Sequence, residues 1–319
     1  MIQRMRARAF GLDIEMDRPI VGLRGVAKAA GARSVKVELV GYEELEDRWR
    51  GAAARELVRH TGSDGVVAVL AEEDAQHGHR IAITGIGSCI VAPDGRSVAF
   101  APAPATSPWL ADRLLTSDAL PLAALLQGVE ALHAGAVVLD GVALAVAGPS
   151  GAGKSSLALT LASLGHPLLS DDALALEPGA RPLCLPGPEV ANVRDPHLRA
   201  VARESLAPFR EVLGEVDGAL RVLVETARDP APLGALYLLD RSGHTGALTI
   251  SSSHDARAVL SATFNRVMDD PRRLMAHLST CAGIAETASV FTVCVPGAVG
   301  PPELADRLVA HLRARLPLA

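Results

Sequence analysis

Residues 148–155 read Gly-Pro-Ser-Gly-Ala-Gly-Lys-Ser and fill every fixed position of the pattern G-x-x-x-x-G-K-[ST]. An unbroken apolar run at 142–147 precedes this segment, and such runs form buried strands. A helix-forming run at 155–162 follows it and ends before Gly165 and Pro167. A strand, a glycine-rich turn and a helix in this order direct backbone N–H groups and the positive end of a helix dipole at a phosphate chain. The sequence therefore predicts a nucleoside triphosphate site on an α/β sheet.

The residues of this loop have separate tasks in phosphate binding. Lys154 is placed to reach the terminal phosphates, and the Ser155 hydroxyl is placed to ligate Mg²⁺. ATP and Mg²⁺ are therefore the expected cofactors. We expect nucleotide contacts from Gly148, Ser150, Gly151, Ala152, Gly153, Lys154, Ser155 and Ser156. A glycine-rich turn that arose by chance is the alternative, and it leaves the matching flanks unexplained.

The composition predicts a cytoplasmic enzyme that binds neither nucleic acid nor membrane. Of the 319 residues, 49% are hydrophobic and 3% aromatic, which is typical of helices covering an α/β sheet. The formal net charge is -5, and no basic run is interleaved with aromatic residues. The basic residues among the first eight are followed by acids at 13, 15 and 17 rather than by the apolar core of a secretion signal. The longest apolar stretch, at 134–147, is interrupted by Asp140 and two glycines, so we expect no membrane span.

The four cysteines indicate buried thiols in a reducing compartment rather than a zinc site. They are widely scattered and form no C-x-x-C pair: Cys89, Cys184, Cys281 and Cys294. Homo-oligomerisation is left open by the sequence.

A proline-rich connector at 101–108 divides the chain into a β-rich domain over 1–107 and a catalytic domain over 108–319. Short alternating segments with turn signals predict strands in the first domain, at 34–39, 66–70, 80–83, 88–91 and 97–100. Asp94-Gly95 predicts the turn between the last two. The expected role of this domain is substrate presentation or assembly, and the sequence does not choose between them.

The predicted elements of the second domain surround the phosphate-binding loop. Apolar residues at helical spacing predict a helix over 120–132, and Asp140-Gly141 predicts the turn of a hairpin over 135–147. An apolar strand interrupted by two acids is expected over 167–176. Further strands are expected at 235–239, 247–250 and 290–295, and helices at 254–267, 271–282 and 302–316.

Two adjacent acids, Asp171 and Asp172, interrupt the apolar run at 167–176. Such a pair is costly to bury unless a cation compensates, because each negative charge raises the pKa of the other group. An Mg²⁺-nucleotide on the neighbouring loop would supply that cation. Phosphoryl transfer uses a carboxylate near the metal and another to orient or deprotonate the incoming hydroxyl. A solvated turn or a helix N-cap is the alternative interpretation, and a single histidine such as His133 more often has a structural role.

Three segments together resemble the catalytic domain of HPr kinase/phosphorylases, over about residues 130–177. They are Leu132-His133-Ala134, the loop at 148–155, and Gly165-His166-Pro167-Leu168-Leu169-Ser170-Asp171-Asp172. In that family a histidine precedes the phosphate-binding loop, and a Gly-His-x-x-x-x-Asp-Asp segment follows the loop helix. The resemblance implies a P-loop domain with a mixed sheet and flanking helices, similar to that of phosphoenolpyruvate carboxykinases, preceded here by a smaller β-rich domain.

The resemblance also implies roles for individual residues. Lys154 would bind the β- and γ-phosphates, and Ser155 the metal. Asp171 would act as a base toward the acceptor hydroxyl, and Asp172 would help to hold the metal or the loop. His133 would lie beside the acidic pair.

One segment departs from the family pattern. The bifunctional enzymes carry a Glu-Ile-Arg-Gly signature after the two acids, and residues 186–196 here do not match it. Prolines in this stretch fix backbone angles and remove N–H donors that could hold a second phosphate, so we expect a kinase without phosphorylase activity. Arg194 or Arg241 could supply the cation that steadies the transferring phosphate.

A second, shorter resemblance concerns the start of the chain. Residues 8–12 and Leu23 resemble HPr-kinase-related proteins encoded with lasso-peptide pathways, which implies a serine hydroxyl of a precursor peptide as the acceptor. A transporter ATPase is disfavoured because the chain has no Leu-Ser-Gly-Gly-Gln signature, and a guanylate kinase would not explain the paired acids. An ATP-gated binding module without chemistry and a bifunctional kinase/phosphorylase remain the alternatives. The sequence favours an ATP-dependent kinase acting on a serine of a peptide or protein.

Overall fold

The computed structural model describes residues 4–27, 33–62, 65–243, 246–264, 270–287 and 289–316. The first three residues and the end of the helix predicted over 254–267 lie outside these ranges. The chain forms two compact units, one of residues 1–130 with 265–274 and the other of residues 131–264 with 275–319. Both units combine helices with β-sheets, and both contain parallel as well as antiparallel strand pairs, so the fold is mixed α/β.

The first unit is built on nine strands. They are β1 (Met5–Ala9), β2 (Leu12–Met16), β3 (Arg24–Gly25), β4 (Ser34–Leu39), β5 (Arg55–Thr61), β6 (Val67–Asp74), β7 (Gly78–Ile83), β8 (Gly87–Val91) and β9 (Ser97–Pro102). The strand order in the sheet is β3-β1-β2-β4-β9-β8-β7-β6-β5. β4 is parallel to both of its neighbours, and the other pairs are antiparallel. The strands predicted in this region are present, and β8 and β9 pair as the hairpin that Asp94-Gly95 predicts.

The helices of this unit cover its sheet. α1 (Tyr42–Trp49) buries Leu45 and Trp49 in a small apolar cluster with Ile90 and Ala99. After the connector, α2 (Pro108–Leu114) and α3 (Leu120–Leu126) are joined by a π-helical turn at Leu115–Ala119.

The segment between the connector and the phosphate-binding loop belongs in part to the first unit. Ala111 and Leu114 of α2 and residues 120–125 of α3 are buried, and both helices belong to the first unit. At Gly95 an added Cβ would lie 2.5 Å from the carbonyl oxygen of Ala123, so the chain approaches α3 more closely than a side chain permits. The division at 107/108 into separately folding domains stays a prediction, whereas the compact units divide at 130/131.

Except for Glu130 and residues 271–274, which belong to the first unit, the remaining strands and helices belong to the second unit. Its strands are β10 (Glu130–Leu132), β11 (Ala134–Leu139), β12 (Val142–Ala147), β13 (Leu168–Ser170), β14 (Leu174–Glu177), β15 (Leu183–Leu185), β16 (Val190–Val193), β17 (Phe209–Val216), β18 (Ala219–Val224), β19 (Ala231–Asp240), β20 (Thr249–Ser252) and β21 (Ser289–Cys294). Its helices are α4 (Lys154–Ser163), α5 (Pro196–Arg203), α6 (Ala256–Leu260), α7 (Pro271–Thr287) and α8 (Pro301–Arg313). The larger sheet has the order β10-β14-β15-β19-β12-β11-β13, and β21 pairs with both β19 and β20. A separate sheet has the order β16-β18-β17.

β12 lies in the middle of the larger sheet and is buried on both faces. Leu144 and Val146 join the apolar cluster that contains residues of α4 and α8. The alternating residues Ala143, Ala145 and Ala147 join the cluster on the other face, with residues of α6 and α7. Burial on both faces is why this strand reads as an unbroken apolar run.

The main differences between the predicted elements and the structure concern four segments. The strand predicted over 167–176 is two strands, β13 and β14, separated by the two acids, and β13 pairs with β11 whereas β14 pairs with β15. The helix predicted over 120–132 ends at Leu126, because Gly128 adopts a φ of 87° and the chain then continues as β10. The helix predicted over 254–267 is present as the short α6. The strand predicted at 247–250 is shifted to 249–252. Among the described residues, no helix has both the length and the hydrophobicity that a bilayer crossing requires.

Candidate nucleotide and phosphoryl-transfer site

Strand directions bring the predicted site residues to one edge of the larger sheet in the second unit. β12 is parallel to β19 and antiparallel to β11, which is in turn antiparallel to β13. The ends of β12 and β13 and the beginning of β11 therefore lie at the same edge. This edge carries the loop at 148–155 after β12, Asp171 and Asp172 after β13, and His133 before β11. α/β folds bind ligands at this kind of strand end.

The phosphate-binding loop has a backbone that requires glycine. Gly148 has a φ of 150°, and a Cβ there would lie 2.8 Å from the carbonyl oxygen of Leu239 in β19. Gly153 has a φ of 93° and is the residue from which α4 begins. Lys154 is buried, and its Nζ donates hydrogen bonds to the carbonyl oxygens of Gly148 (2.9 Å) and Pro149 (3.2 Å). The ammonium group thus lies inside the turn of the loop, where a phosphate chain would meet it.

Asp171 is the buried acid of the pair, with 8% of its surface exposed. Its Oδ2 accepts a hydrogen bond from the backbone N–H of Asn192 (3.1 Å), whereas its Oδ1 is buried without a hydrogen-bond partner among the described residues. Burial raises the pKa of this carboxyl group, and the charge of Asp172 raises it further. The Ser155 hydroxyl, the Asn192 N–H and the charge of Arg221 oppose this rise in pKa. The fold therefore places a proton-accepting oxygen next to the serine predicted to ligate Mg²⁺.

Asp172 differs from Asp171 in exposure and in partners. Its backbone adopts a φ of 75°, which turns the chain sharply after β13. Its Oδ1 lies 3.1 Å from Nδ1 of His133, and its carbonyl oxygen lies at the same distance from that nitrogen. The His133 ring stacks on Phe264, with ring centroids 6.4 Å apart. His133 and the acidic pair are therefore adjacent, as the resemblance implies.

The two arginines predicted as phosphate clamps are placed differently. Arg241 follows β19, and its Nε donates to the carbonyl oxygen of Ala152 in the loop (3.0 Å). Its terminal nitrogens face the carbonyl oxygen of Val299 at 3.3 and 3.4 Å. Arg194 is exposed after β16 and makes no hydrogen bond or ion pair within the described part of the chain. Arg241 is thus a contact of the phosphate-binding loop, whereas no bond joins Arg194 to the site.

Sequence reasoning did not single out two neighbours of Asp171. Asn192 lies on β16 and donates its backbone N–H to the carboxylate. Arg221 lies opposite it on β18, is 4% exposed, and donates to the Asn192 side-chain oxygen (3.2 Å). A charged residue inside the apolar run at 219–224 is the sequence signal that could have drawn attention to Arg221.

The oxygen ligands at this edge fit an Mg²⁺-nucleotide. Among the described residues, no group of three or more His, Cys, Asp and Glu side chains could hold a metal by itself. Mg²⁺ usually takes one or two protein oxygens and completes its shell with water and substrate phosphates. Ser155 and the two acids offer such oxygens beside the loop, and the unpartnered Oδ1 of Asp171 is one of them.

A cavity in the second unit lies away from these residues. Its volume is about 680 Å³, and its lining includes Gly165–Leu168 and residues 225–231, at the far end of α4 from the loop. It contains none of the predicted site residues. This cavity is therefore separate from the predicted nucleotide site.

Comparisons with known proteins give little further information. No family model matches the chain, and no curated protein matches it. Among solved structures, the HPr(Ser) kinase/phosphatase of Coxiella burnetii is similar with a TM-score of 0.31 and 15% identity. The match covers 58% of this chain and 97% of that one. These values are too low to assign this chain to that fold or family.

Proposed function

We propose that this protein is an ATP-dependent phosphotransferase that moves the γ-phosphoryl group to a serine hydroxyl of a peptide or protein. One observation carries the proposal: a buried carboxylate with an unpartnered oxygen lies beside Ser155, at the end of an intact phosphate-binding loop. A structural acid would be expected to have both oxygens paired. Perturbed acids in such places are typical of catalytic sites.

The residues around the loop would have the following roles in this reaction. Backbone N–H groups of the loop and the Lys154 ammonium would hold the phosphate chain. When bound, Mg²⁺ would neutralise charge on the phosphates, with Ser155 and Asp172 as its protein ligands. Asp171 would accept the proton of the serine hydroxyl while the serine oxygen bonds to the γ-phosphorus. The bond between that phosphorus and the β,γ-bridging oxygen breaks, and ADP leaves.

The acceptor class is proposed from the resemblances in the sequence. The start of the chain and the acidic segment both resemble HPr-kinase-related proteins, of which one branch modifies precursor peptides of lasso pathways. We propose a serine in such a precursor peptide as the acceptor.

Phosphate transfer tests the proposal directly. The protein is incubated with Mg²⁺ and ATP labelled in the γ-phosphate, together with a mixture of synthetic peptides that each contain one serine. We expect peptide-dependent label transfer that falls at least about a hundredfold in Lys154→Ala, because the loop backbone alone cannot offset the phosphate charge. Lys36→Ala, at a lysine of β4 in the first unit, is the control and should retain full transfer.

Other outcomes of the same experiment favour the alternatives. Tight ATP binding without transfer to any hydroxyl would contradict the kinase and favour an ATP-gated binding module. Adding inorganic phosphate to the phosphorylated peptide should leave the phosphoester intact, because prolines at 186, 188 and 196 remove possible N–H donors from the segment after the acids. Prompt release of pyrophosphate would instead show a bifunctional kinase/phosphorylase.

A further inference from the structure

Arg221 is a buried cation whose position no part of the proposed reaction has yet used. It lies on β18, the central strand of the three-stranded sheet, and is 4% exposed. Its strand neighbours are apolar, and Leu220 and Val222 on either side of it belong to the main apolar cluster of this unit. Removing a guanidinium from water costs several kcal/mol unless partners compensate, so a buried arginine needs a specific electrostatic environment.

The carboxylate of Asp171 is part of that environment, because the charge of Arg221 acts on it to lower its pKa. Arg221 and Asn192 face each other in the register of β18 and β16, and Arg221 Nη1 donates to Asn192 Oδ1 at 3.2 Å. The backbone N–H of the same asparagine donates to Asp171 Oδ2 at 3.1 Å. Asn192 therefore links Arg221 to Oδ2 of Asp171. The other oxygen of this acid, Oδ1, has no hydrogen-bond partner among the described residues.

We propose that Arg221 is a positioning residue for phosphoryl transfer, which acts through Asn192 to hold Asp171 with Oδ1 directed at the acceptor hydroxyl. The inference rests on the proposed function and adds to it the second sheet, β16-β18-β17, as the support of the proton acceptor. Charge complementarity gives the physical reason, because the guanidinium offsets the negative charge of the carboxylate from the side of Asn192.

Arg199 contacts the same sheet as Arg221, but its recorded partners do not include the acidic pair. Arg199 on α5 donates to the Gly218 carbonyl oxygen (3.1 Å) and pairs with both oxygens of Glu215 (2.9 Å). These partners lie at the β17–β18 turn of the same sheet, and the Glu215 side chain is about half exposed. Arg199→Met is therefore a matched control that removes an arginine that is bonded to the same sheet and has no recorded bond to Asp171.

The experiment measures label transfer from Mg²⁺-ATP to the serine-peptide mixture, together with affinity for Mg²⁺-ATP and the thermal unfolding midpoint. We expect Arg221→Met to lower kcat about tenfold to a hundredfold while nucleotide affinity changes less than about threefold. Arg221→Lys should restore part of the lost rate, and Arg199→Met should leave kcat unchanged. Asn192→Ala keeps the backbone donor to Asp171 but removes the acceptor for Arg221, so kcat should fall about threefold to tenfold. This variant provides the test if Arg221→Met does not fold.

A double-mutant cycle separates positioning from general structural support. If Arg221 acts through Asp171, adding Arg221→Met or Asn192→Ala to Asp171→Asn should lower the residual rate no further. A further drop by the factor seen in the wild-type background would overturn the inference, as would full activity of both single variants. Absence of transfer in the wild-type protein with ATP binding retained would instead contradict the proposed function, and the inference with it.

Discussion

Two buried acids, one in each unit, differ in how fully their carboxylate oxygens are hydrogen-bonded. Asp112 on α2 is 1% exposed and fully paired. Its Oδ1 accepts a hydrogen bond from Arg18 Nη2. Its Oδ2 accepts hydrogen bonds from Arg18 Nη1 (3.0 Å) and from the Val21 N–H (2.8 Å). Asp171 is 8% exposed, yet one of its oxygens has no hydrogen-bond partner among the described residues.

The difference distinguishes an acid that holds a structure together from one kept ready for a ligand. Leaving a buried acceptor unpaired costs about 1–3 kcal/mol, which a fold tolerates where a cation or substrate will later supply the missing contact. Both carboxylate oxygens of Asp112 already accept hydrogen bonds, from Arg18 and from the Val21 N–H. Burial alone therefore does not indicate function; the pattern of pairing does.

The largest expected effect is on transfer at Asp171. Asp171→Asn keeps the shape of the side chain but cannot accept a proton, so label transfer should fall by about 10²–10⁴-fold. Affinity for Mg²⁺-ATP, measured by titration calorimetry, should remain. A variant that instead loses nucleotide affinity, while Asp172→Asn loses only rate, would show that the two acids have exchanged roles.

The matching change in the first unit should affect stability instead. Asp112→Asn places an amide against the Arg18 guanidinium and leaves the arginine without its counter-charge, so the free energy of unfolding should fall by about 3 kcal/mol. Urea denaturation measures the loss. The folded fraction should transfer phosphate at the wild-type rate, and a specific loss of rate there would break the distinction between the two acids.

The smallest expected effect is on the pH dependence of stability. The pKa of Asp171 is raised in the folded protein above its ordinary value of 3.8, mainly by burial and then by the charge of Asp172. Folding therefore favours the protonated form, and this contribution is complete below pH 3.8 and lost as the pH rises through the higher folded pKa. Without Mg²⁺, we compare the free energy of unfolding of the wild-type protein with that of Asp171→Asn. As the pH rises from 3.8 through the folded pKa of Asp171, the wild-type value should fall relative to the variant by at most about 1.4 kcal/mol per pH unit. An unchanged difference across that range would show that the acid is not desolvated.

The sequence alone determined the parts of this protein that depend on neighbouring residues. The loop at 148–155 needs a strand before it, glycines within it and a helix after it, and all three are encoded in about twenty consecutive residues. The hairpin of β11 and β12 is equally local, because Asp140-Gly141 supplies the turn with φ values of 49° and 81°. The acids after β13 were recognisable because a charge pair inside an apolar run is costly without a purpose.

Tertiary structure alone decided what surrounds those acids. Asn192 and Arg221 reach Asp171 from a separate sheet, and Phe264 reaches His133 from beyond β20, across separations that no local pattern encodes. Which acid is buried also follows from packing, since Asp171 and Asp172 are chemically identical neighbours until the positive φ of Asp172 turns it outward to His133. Strand order places these groups together, and strand order depends on contacts between residues far apart in the chain.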